Sequence, residues 1–354
     1  MQAVIEQFAG RIRAAATEKR PLRLRGGGSK DFYGQALEGE VLDTRAYAGI
    51  IAYEPTELVI TARCGTLLAD LEAALRAKGQ QLTFEPPHFG PGATVGGMVA
   101  AGLSGPRRQA AGAVRDFVLG VRMLDGRGDD LCFGGQVMKN VAGFDVSRLM
   151  VGSLGTLGAI LEVSLKVLPL PAVEITLRLA KTAAEAIALV NEWAGQPLPV
   201  SGTAWTGGNL LVRLSGATAA VEAVAKKLGG ERIAPEQAQN FWHGIREQTD
   251  PFFNIGQPLW RLSLKSTTPP LNLPGAQLIE WGGALRWLAT DADAQTVRAA
   301  AAFGGGHATL FRGSDKSAGV FQPLPPALLT IHRKLKRAFD PAGIFNPGRL
   351  YDWM

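Results

Sequence analysis

The apolar positions in the first half of the chain repeat with both helical and strand periods. Residues 1–20 predict an amphipathic helix, because their large apolar side chains recur on one face, at Val4, Ile5, Phe8 and Ile12. A second helix, capped by Thr66 and ending at Gly79, is predicted by leucines at 67, 68, 71 and 75. Strands are predicted over residues 21–25, 58–64, 118–124, 130–133 and 159–168, with a hairpin turn at Asp125-Gly126.

From Val173 onwards, predicted strands alternate with capped helices. Thr182 and Glu185 form a capping box for a helix that ends at Ala194, before Gly195. Further helices are predicted over residues 218–228, 235–248, 291–302 and 326–339. Strands are predicted over residues 202–205, 209–214, 259–265, 277–280 and 284–288, with a loop and strand over 304–312. This order predicts an α+β region with a largely antiparallel sheet, and the length of 354 residues suits two domains.

Glycine is the part of the composition that changes this picture. The 44 glycines make up about 12% of the chain, against an average of about 7%. Residues 93–108 are especially rich in them and read Ala-Thr-Val-Gly-Gly-Met-Val-Ala-Ala-Gly-Leu-Ser-Gly-Pro-Arg-Arg. Backbone without Cβ atoms can approach a ligand closely and direct N–H groups at its oxygens, which suits pyrophosphate best. A membrane span over the uncharged residues 86–106 is disfavoured, because Gly and Pro interrupt it.

Two further glycine clusters flank this stretch. The first reads Gly26-Gly27-Gly28-Ser29-Lys30, and the second, over residues 152–158, reads Gly-Ser-Leu-Gly-Thr-Leu-Gly. The first lacks the Gly-Lys-Ser/Thr order of the mononucleotide P-loop, and the chain contains no Gly-x-Gly-x-x-Gly, so both nucleotide motifs are excluded. Taken alone, Gly26 to Gly28 also suits a hairpin turn, whereas the adjacent Arg25, Ser29 and Lys30 favour an anion.

Charge and cysteine content narrow the class of protein only in part. A net charge of +6 and a pI near 9.4 allow anionic ligands, an acidic partner or a membrane surface. Nucleic acid is disfavoured, because the aromatic residues follow apolar helix and strand patterns instead of lining a basic stripe. The two cysteines, Cys64 and Cys132, cannot build a disulfide framework, a cysteine zinc site or an iron–sulfur cluster. With no apolar signal-peptide core at residues 1–20, we expect a cytoplasmic protein.

The order and spacing of four segments resemble the vanillyl-alcohol-oxidase/PCMH type of FAD-binding domain. The segments are residues 25–30, 60–65 with the helix that follows, 93–97 and 152–158. The tail Asp340-Pro-Ala-Gly-Ile-Phe-Asn-Pro-Gly348 is similar to the segment by which that family returns to its flavin domain. The resemblance implies an α+β fold. It consists of a PCMH-type FAD-binding domain of two α/β subdomains (1–170), an α+β cap on a mainly antiparallel sheet (171–312) and a returning C-terminal segment (313–354).

The resemblance also implies which residues hold FAD. Backbone N–H groups would bind the pyrophosphate at Gly26, Gly27, Gly28, Ser29, Lys30, Thr94, Val95, Gly96 and Gly97, and Lys30 or Arg107 would add a full charge. The path to the isoalloxazine would be lined by Gly102, Ser104, Gly105, Arg107 and Gly112. The adenine end would be contacted by Gly155, Gly158 and Ile160. Noncovalent FAD is expected, because no His precedes Pro87 in the region where some relatives attach their flavin.

Within this family the chain is most similar to FAD-binding subunits of bacterial glycolate oxidase (glycolate dehydrogenase). The similarity is carried by residues 25–30, 103–108 (Leu-Ser-Gly-Pro-Arg-Arg), 137–145 (Val-Met-Lys-Asn-Val-Ala-Gly-Phe-Asp) and 305–309 (Gly-Gly-His-Ala-Thr). It implies a flavoprotein oxidoreductase subunit of a complex that oxidises glycolate to glyoxylate. The implied partners are a larger FAD-containing catalytic subunit and an iron–sulfur subunit that receives the electrons. Such a subunit would be cytoplasmic, either free or held at the inner face of the cytoplasmic membrane through its partners.

Relatives that oxidise 2-hydroxy acids directly carry a His-rich and acidic, often metal-binding cluster near the end of the cap. The matching residues 304–312 supply only His307, so we expect no metal site, assign no catalytic residue and do not expect independent substrate oxidation. His307 suits either a substrate-site base or a loop histidine, and Arg312 either a carboxylate partner or a structural ion pair. Two other functions stay open: a self-sufficient FAD-dependent 2-hydroxy-acid dehydrogenase, and a pseudo-flavoprotein that keeps the fold without FAD.

Three other groups of residues have a chemical and a structural interpretation, and the structural one is favoured for each. Lys139, Asn140 and Asp145 are interpreted as positioning backbone near the flavin, not as catalytic groups. Asp129 and Asp130 are interpreted as a solvated hairpin turn. The cap tryptophans are expected to fill the core, with one or two at a partner surface; they are Trp205, Trp242, Trp260, Trp281 and Trp287.

Overall fold

The structure, a computed structural model, describes residues 1–135 and 145–354. The motif residues 137–144, including Lys139 and Asn140, lie outside the described residues. The chain divides into two compact units. Unit 1 comprises Met1–Leu103, Ala113–Leu170 and Pro323–Met354, and unit 2 comprises Ser104–Gly112 and Pro171–Gln322.

Helices occur in both units. In chain order they are α1 (Gln2–Glu18), α2 (Leu68–Arg76), α3 (Val95–Ala101), α4 (Arg108–Ala111), α5 (Val114–Phe117), α6 (Val146–Leu149), α7 (Ala183–Ala194), α8 (Thr218–Leu228), α9 (Pro235–Glu247), α10 (Ala294–Phe303) and α11 (Pro326–Phe339). Short 3-10 turns cover Pro55–Glu57, Pro251–Asn254 and Trp281–Gly283.

Strands also occur in both units, and they are numbered in chain order. They are β1 (Leu22–Arg25), β2 (Glu40–Asp43), β3 (Ile50–Glu54), β4 (Val59–Arg63), β5 (Gln80–Gln81), β6 (Val118–Leu124), β7 (Asp130–Gly134), β8 (Ala159–Lys166), β9 (Leu168–Pro169), β10 (Val173–Ala180), β11 (Val200–Thr206), β12 (Asn209–Gly216), β13 (Glu231–Arg232), β14 (Leu259–Ser263), β15 (Ala276–Glu280), β16 (Leu285–Ala289) and β17 (His307–Arg312).

Unit 1 is organised around an antiparallel sheet with the strand order β3-β4-β8-β6-β7. The central strand β8 is almost entirely buried, including the successive residues Ile160 and Leu161 that point to opposite faces, so both faces of the sheet are covered. Separately, β1 and β2 form a parallel pair in which Leu22 lies opposite Glu40. The end of β1 leads directly into the first glycine cluster.

Unit 2 is organised around an eight-stranded sheet with the order β13-β10-β12-β11-β15-β16-β14-β17, in which neighbouring strands pair in antiparallel fashion. One apolar cluster joins α7 and α8 to the sheet through Val190, Val212 and Val221. A second joins α10 to it through Val297 and Leu288. The predicted antiparallel cap sheet is therefore confirmed.

Most predicted elements of the second half are confirmed closely. The capping box of α7 forms between Thr182 and Glu185, and α8 and α11 occupy the predicted residues. The expected role of the cap tryptophans is also confirmed: Trp242, Trp260, Trp281 and Trp287 are buried. Trp205 is half-buried and its indole donates to the Lys181 carbonyl at 2.8 Å.

One prediction in the first half is wrong. Thr66 does not cap α2: its hydroxyl accepts a hydrogen bond from the Gly49 amide at 2.9 Å and donates one to the Gly49 carbonyl at 3.1 Å. The glycine-rich residues after Thr94, for which the sequence predicts no helix, form helix α3, and the Thr94 hydroxyl accepts a hydrogen bond from the Gly97 amide at its start. Glycine lowers intrinsic helix propensity, but here burial of Val95, Met98 and Val99 outweighs that cost.

The paired acidic residues have structural partners. Asp130 lies in β7 and forms an ion pair with Arg122 at 2.8 Å. The Asp129 amide donates to the buried Asp125 carboxylate at 3.0 Å, which holds the hairpin turn. Asp145 caps α6 by accepting from the Arg148 amide.

Candidate functional site

A groove in unit 1 brings together the first glycine cluster, the start of α3, the third glycine cluster and the C-terminal tail. Two adjoining parts of the groove share the residues Leu24, Arg25, Gly26, Gly97, Ala100, Leu154 and Asn346. The first part continues along residues 27–31. The second continues to Gly96, Gly155, Gly158 and Ile160. Most of the residues predicted to hold the cofactor therefore line one continuous surface.

The first glycine cluster packs too tightly for any side chain. A Cβ atom on Gly27 would lie 1.4 Å from the Gly92 carbonyl oxygen, and one on Gly26 would lie 2.3 Å from the Thr94 hydroxyl oxygen. Gly28 has a φ of 74°, which L side chains rarely adopt. Glycine is therefore required here, because the loop packs directly against residues 92–94 on one side and lines the groove on the other.

The loop also offers hydrogen-bond donors. Within residues 1–135 and 145–354, the backbone amides of Gly26, Gly27, Gly28 and Ser29 donate no hydrogen bond to another residue. Consecutive amides in a concave turn suit an anion with several oxygens, such as a diphosphate. The first glycine cluster, which we call the glycine cradle, and its amide donors thus fit the diphosphate of a dinucleotide.

Charged side chains behind the loop hold its shape. The Asp31 carboxylate pairs with Arg25 at 2.9 Å and also with Arg23. From the tail, the Arg349 guanidinium donates to the carbonyls of Asp31 at 2.9 Å and Lys30 at 3.2 Å, as well as to that of Gln35. Burial lowers the pKa of Arg349 to about 10, so it stays cationic at neutral pH beside the groove.

The third glycine cluster meets the tail at Asn346. The Asn346 side chain accepts from the Leu24 amide at 2.8 Å and donates to the Leu154 carbonyl at 2.6 Å. A Cβ atom on Gly155 would lie 2.7 Å from the Asn346 amide nitrogen, and one on Gly158 would lie 2.8 Å from the Leu124 carbonyl oxygen. Close packing of backbone and tail therefore shapes this end of the groove.

Some residues that were predicted to hold the cofactor form hydrogen bonds within the protein or have a role in helix α3. The Val95 and Gly96 amides already donate to the carbonyls of Thr66 and Cys64, at 2.9 and 2.8 Å. Gly102 ends α3 with a φ of 64°. The Lys30 ammonium lies 3.2 Å from the His88 carbonyl oxygen. The Gly97 amide likewise donates to the Thr94 hydroxyl, at 3.3 Å. The predicted donors to the diphosphate narrow accordingly to the backbone amides of residues 26–29.

Four predicted residues belong to unit 2. They are Ser104, Gly105, Arg107 and Gly112. Arg107 is buried and pairs there with Glu174, which also accepts from the Ser215 hydroxyl at 2.9 Å. The Gly105 carbonyl accepts from the Trp281 indole at 3.0 Å, and Arg108 lies over the same indole at 4.3 Å. These contacts fasten residues 104–112 within unit 2.

Sequence reasoning missed Asn346 and Arg349 as groove residues. The resemblance assigns the tail Asp340–Gly348 to the flavin domain, but it assigns no cofactor contact to any residue of the tail. No periodicity in the sequence marks Asn346 or Arg349. They lie more than 300 positions from β1 and the first glycine cluster along the chain, and only the fold brings them into contact.

His307 and Arg312, whose roles were left open, lie at opposite ends of β17 in unit 2. His307 is opposite Ser263, and partial desolvation together with the Arg261 charge lowers its pKa. Arg312 lies over the Phe311 ring at 5.5 Å. In the part of the chain that the structure describes, no three His, Cys, Asp or Glu residues come together as a metal site.

Comparison with known proteins shows the family to which the chain belongs. A family model described as FAD binding domain matches residues 3–131, and one described as FAD linked oxidases, C-terminal domain, matches residues 312–350. Glycolate oxidase subunit GlcE of Escherichia coli (strain K12) is 50% identical over 350 residues, covering 99% of this chain and 97% of that protein. The chain belongs to the GlcE family of glycolate oxidase subunits.

Members of other groups share less with this GlcE-family chain. Glycolate oxidase subunit GlcD of Bacillus subtilis (strain 168) is 35% identical over 129 residues, or 36% of this chain and 27% of that protein. A solved structure of alkyldihydroxyacetonephosphate synthase matches with a TM-score of 0.65 at 16% identity, covering 97% of this chain and 75% of that one. The latter likeness shows the fold, a PCMH-type FAD-binding domain with its cap.

The chain is an FAD-dependent oxidoreductase subunit, and FAD is its cofactor, as the resemblance implied. The groove fits this cofactor, because it combines a glycine cradle with amides that have no acceptor among the described residues. Across residues 1–135 and 145–354, no helix is both long and apolar enough to cross a membrane.

Proposed function

We propose that this chain is the FAD-binding subunit of a glycolate oxidase complex that converts glycolate to glyoxylate. A larger FAD-containing subunit binds and oxidises the substrate, and an iron–sulfur subunit receives the electrons. The observation that carries the proposal is the 50% identity to a glycolate oxidase subunit over nearly the full length of both proteins. The weaker and shorter match to GlcD supports two different flavin subunits in one complex.

We further propose that FAD lies noncovalently along the groove of unit 1. The amides of Gly26, Gly27, Gly28 and Ser29 bind the diphosphate, and the cationic Arg349 contributes charge from behind the loop. Gly155, Gly158 and Ile160 line the adenine end, as the resemblance implies. When bound, FAD supplies a two-electron acceptor, and the protein supplies its position and its electrostatic surroundings.

The proposed location is the cytoplasm, with any contact to the membrane made through the partner subunits. Cys64 and Cys132 are both free thiols, and Cys132 is exposed, which suits a reducing compartment. The domain limits of 1–170, 171–312 and 313–354 stay predictions.

The test is isolation of the tagged chain from its host, followed by identification of bound proteins and flavin. We expect a larger flavoprotein and an iron–sulfur protein in the same particle, and reduction of its flavin when glycolate is added. The separately purified chain should bind FAD but keep it oxidised with glycolate. Recovery without either partner would contradict the complex.

The same experiment separates the two alternatives. Bleaching of the flavin in the isolated chain by glycolate or D-lactate would show a self-sufficient dehydrogenase. A folded but colourless chain that takes up no added FAD would show a pseudo-flavoprotein. A Gly27→Asp variant places a carboxylate beside the proposed diphosphate, and unchanged FAD content in that variant would remove the loop assignment.

A further inference from the structure

A buried lysine fastens the C-terminal tail of unit 1. Lys336, in α11, is 7% exposed although lysine side chains are rarely buried. Its ammonium donates three hydrogen bonds: to the Asp340 carboxylate at 2.8 Å, the Thr156 carbonyl at 2.8 Å and the Phe345 carbonyl at 2.9 Å. All three protons of the ammonium are therefore used, and they join the turn after α11 to the third glycine cluster.

The carboxylate of Asp340 completes this arrangement. Asp340 is 1% exposed and accepts from the Ile344 amide at 3.1 Å and the Phe345 amide at 2.8 Å, in addition to the Lys336 ammonium. The pair thereby fixes the turn 340–345 by both a cation and an anion. Because desolvation offsets much of the attraction within a buried ion pair, this pair contributes little net stability.

The fastened residues are the ones that lead into the groove. Thr156, held by Lys336, lies between Gly155 and Gly158 of the third glycine cluster. Phe345, held by both charges, is followed by Asn346, which contacts Leu24 and Leu154. Three residues later, Arg349 donates to the loop of the first cluster. The tail thus bridges the two glycine clusters that line the groove.

We infer that Lys336 is a positioning residue for FAD: through Asp340 it holds residues 344–349 as a bridge that sets the spacing of the two glycine clusters. Lys336 does not line the groove and acts only through the tail and Thr156. The inference rests on the proposed placement of FAD in this groove.

The test compares FAD affinity with stability in the full chain. Lys336→Met removes the charge and keeps the side-chain length. We expect its dissociation constant for FAD, measured by flavin fluorescence titration, to rise at least tenfold. Amide hydrogen exchange of residues 344–349 should become faster than in the wild type, and added FAD should protect them less.

Two controls separate positioning from general stability. Ile12→Ala opens a cavity in the core under α1, at a residue that is fully buried and does not line the groove. It should lower the denaturation midpoint while changing the FAD dissociation constant less than twofold. Lys334→Met removes an exposed cation from the same helix and should change neither quantity appreciably.

The outcomes are distinguishable. If Lys336→Met loses stability but binds FAD within twofold of Ile12→Ala, Lys336 is only structural and the inference is overturned. If the wild-type chain binds FAD without protecting residues 344–349 from exchange, the placement of FAD in the groove fails with it. Should Lys336→Met not fold, Asp340→Asn gives a second comparison, because it removes the carboxylate charge that pairs with Lys336 and keeps one of the two oxygens that accept from the Ile344 and Phe345 amides.

Discussion

Gly27→Ala is the smallest change that tests the glycine cradle. The new Cβ would lie 1.4 Å from the Gly92 carbonyl oxygen, whereas real Cβ atoms keep at least 3.0 Å from such atoms. The two backbones must therefore separate by about 1.6 Å, because neither side of the contact is a flexible side chain. Such a shift exceeds the tolerance of a hydrogen bond, whose donor and acceptor lie about 2.7–3.2 Å apart.

The expected loss of affinity follows from the donors that move. Displacing two amides from a charged diphosphate costs about 1.5–3 kcal/mol for each hydrogen bond. The sum of at least about 3 kcal/mol corresponds to a rise of about a hundredfold or more in the FAD dissociation constant. Fluorescence titration of the purified chain with FAD measures this directly.

Gly10→Ala is the matched control. Gly10 lies within α1, and a Cβ there would have no heavy atom within 4 Å. Because alanine favours a helix over glycine by about 1 kcal/mol, this variant should be slightly more stable and bind FAD normally. If Gly27→Ala binds FAD within twofold of Gly10→Ala, the steric reasoning about the cradle is refuted.

Three further predictions concern the tail, the loop and a helix of unit 2. Asn346→Ala removes the hydrogen bonds to Leu24 and Leu154, so FAD affinity by titration should fall about tenfold, which corresponds to about 1.4 kcal/mol for the two bonds together. Unchanged affinity would exclude the tail from the site. Asp31→Asn weakens the pairing with Arg25, so FAD should dissociate faster in stopped-flow displacement; an unchanged rate would show that the loop holds its shape without this charge. The side-chain hydrogen bond from Thr182 is the main cause that lowers the pKa of Glu185 in the folded chain. The ionised carboxylate therefore stabilises α7 fully above the unfolded pKa of about 4.3, and this stabilisation is lost as pH falls through the lower folded pKa. Glu185→Gln should flatten this part of the thermal-stability profile against pH, and an identical profile would contradict the capping argument.

The helices and strands of unit 2 could be predicted well because local signals decide them. The capping box at Thr182 and the glycine after Ala194 specify both ends of α7 by hydrogen bonds within a few residues. Helix α3 shows the opposite case. The two glycines after Val95, Gly96 and Gly97, have low helix propensity, and formation of the helix depends on burial against distant segments.

The site could be predicted in part for a related reason. Glycine clusters are visible in sequence because a close backbone approach admits no other residue, and Gly26 to Gly28 were found in this way. Arg107 was assigned to the cofactor by its place in a motif, whereas in unit 2 it pairs with Glu174. Neither that partner nor the contact of Arg349 with the first cluster has any signature in the neighbouring sequence, because both are made by the tertiary fold.

An experimental structure of the chain with FAD tests the central claim most directly. We expect diphosphate oxygens within about 3.2 Å of the amide nitrogens of Gly27, Gly28 and Ser29, with Asn346 against the cofactor and the adenine end beside Gly158. FAD bound elsewhere on unit 1, or a diphosphate out of reach of these amides, would contradict it.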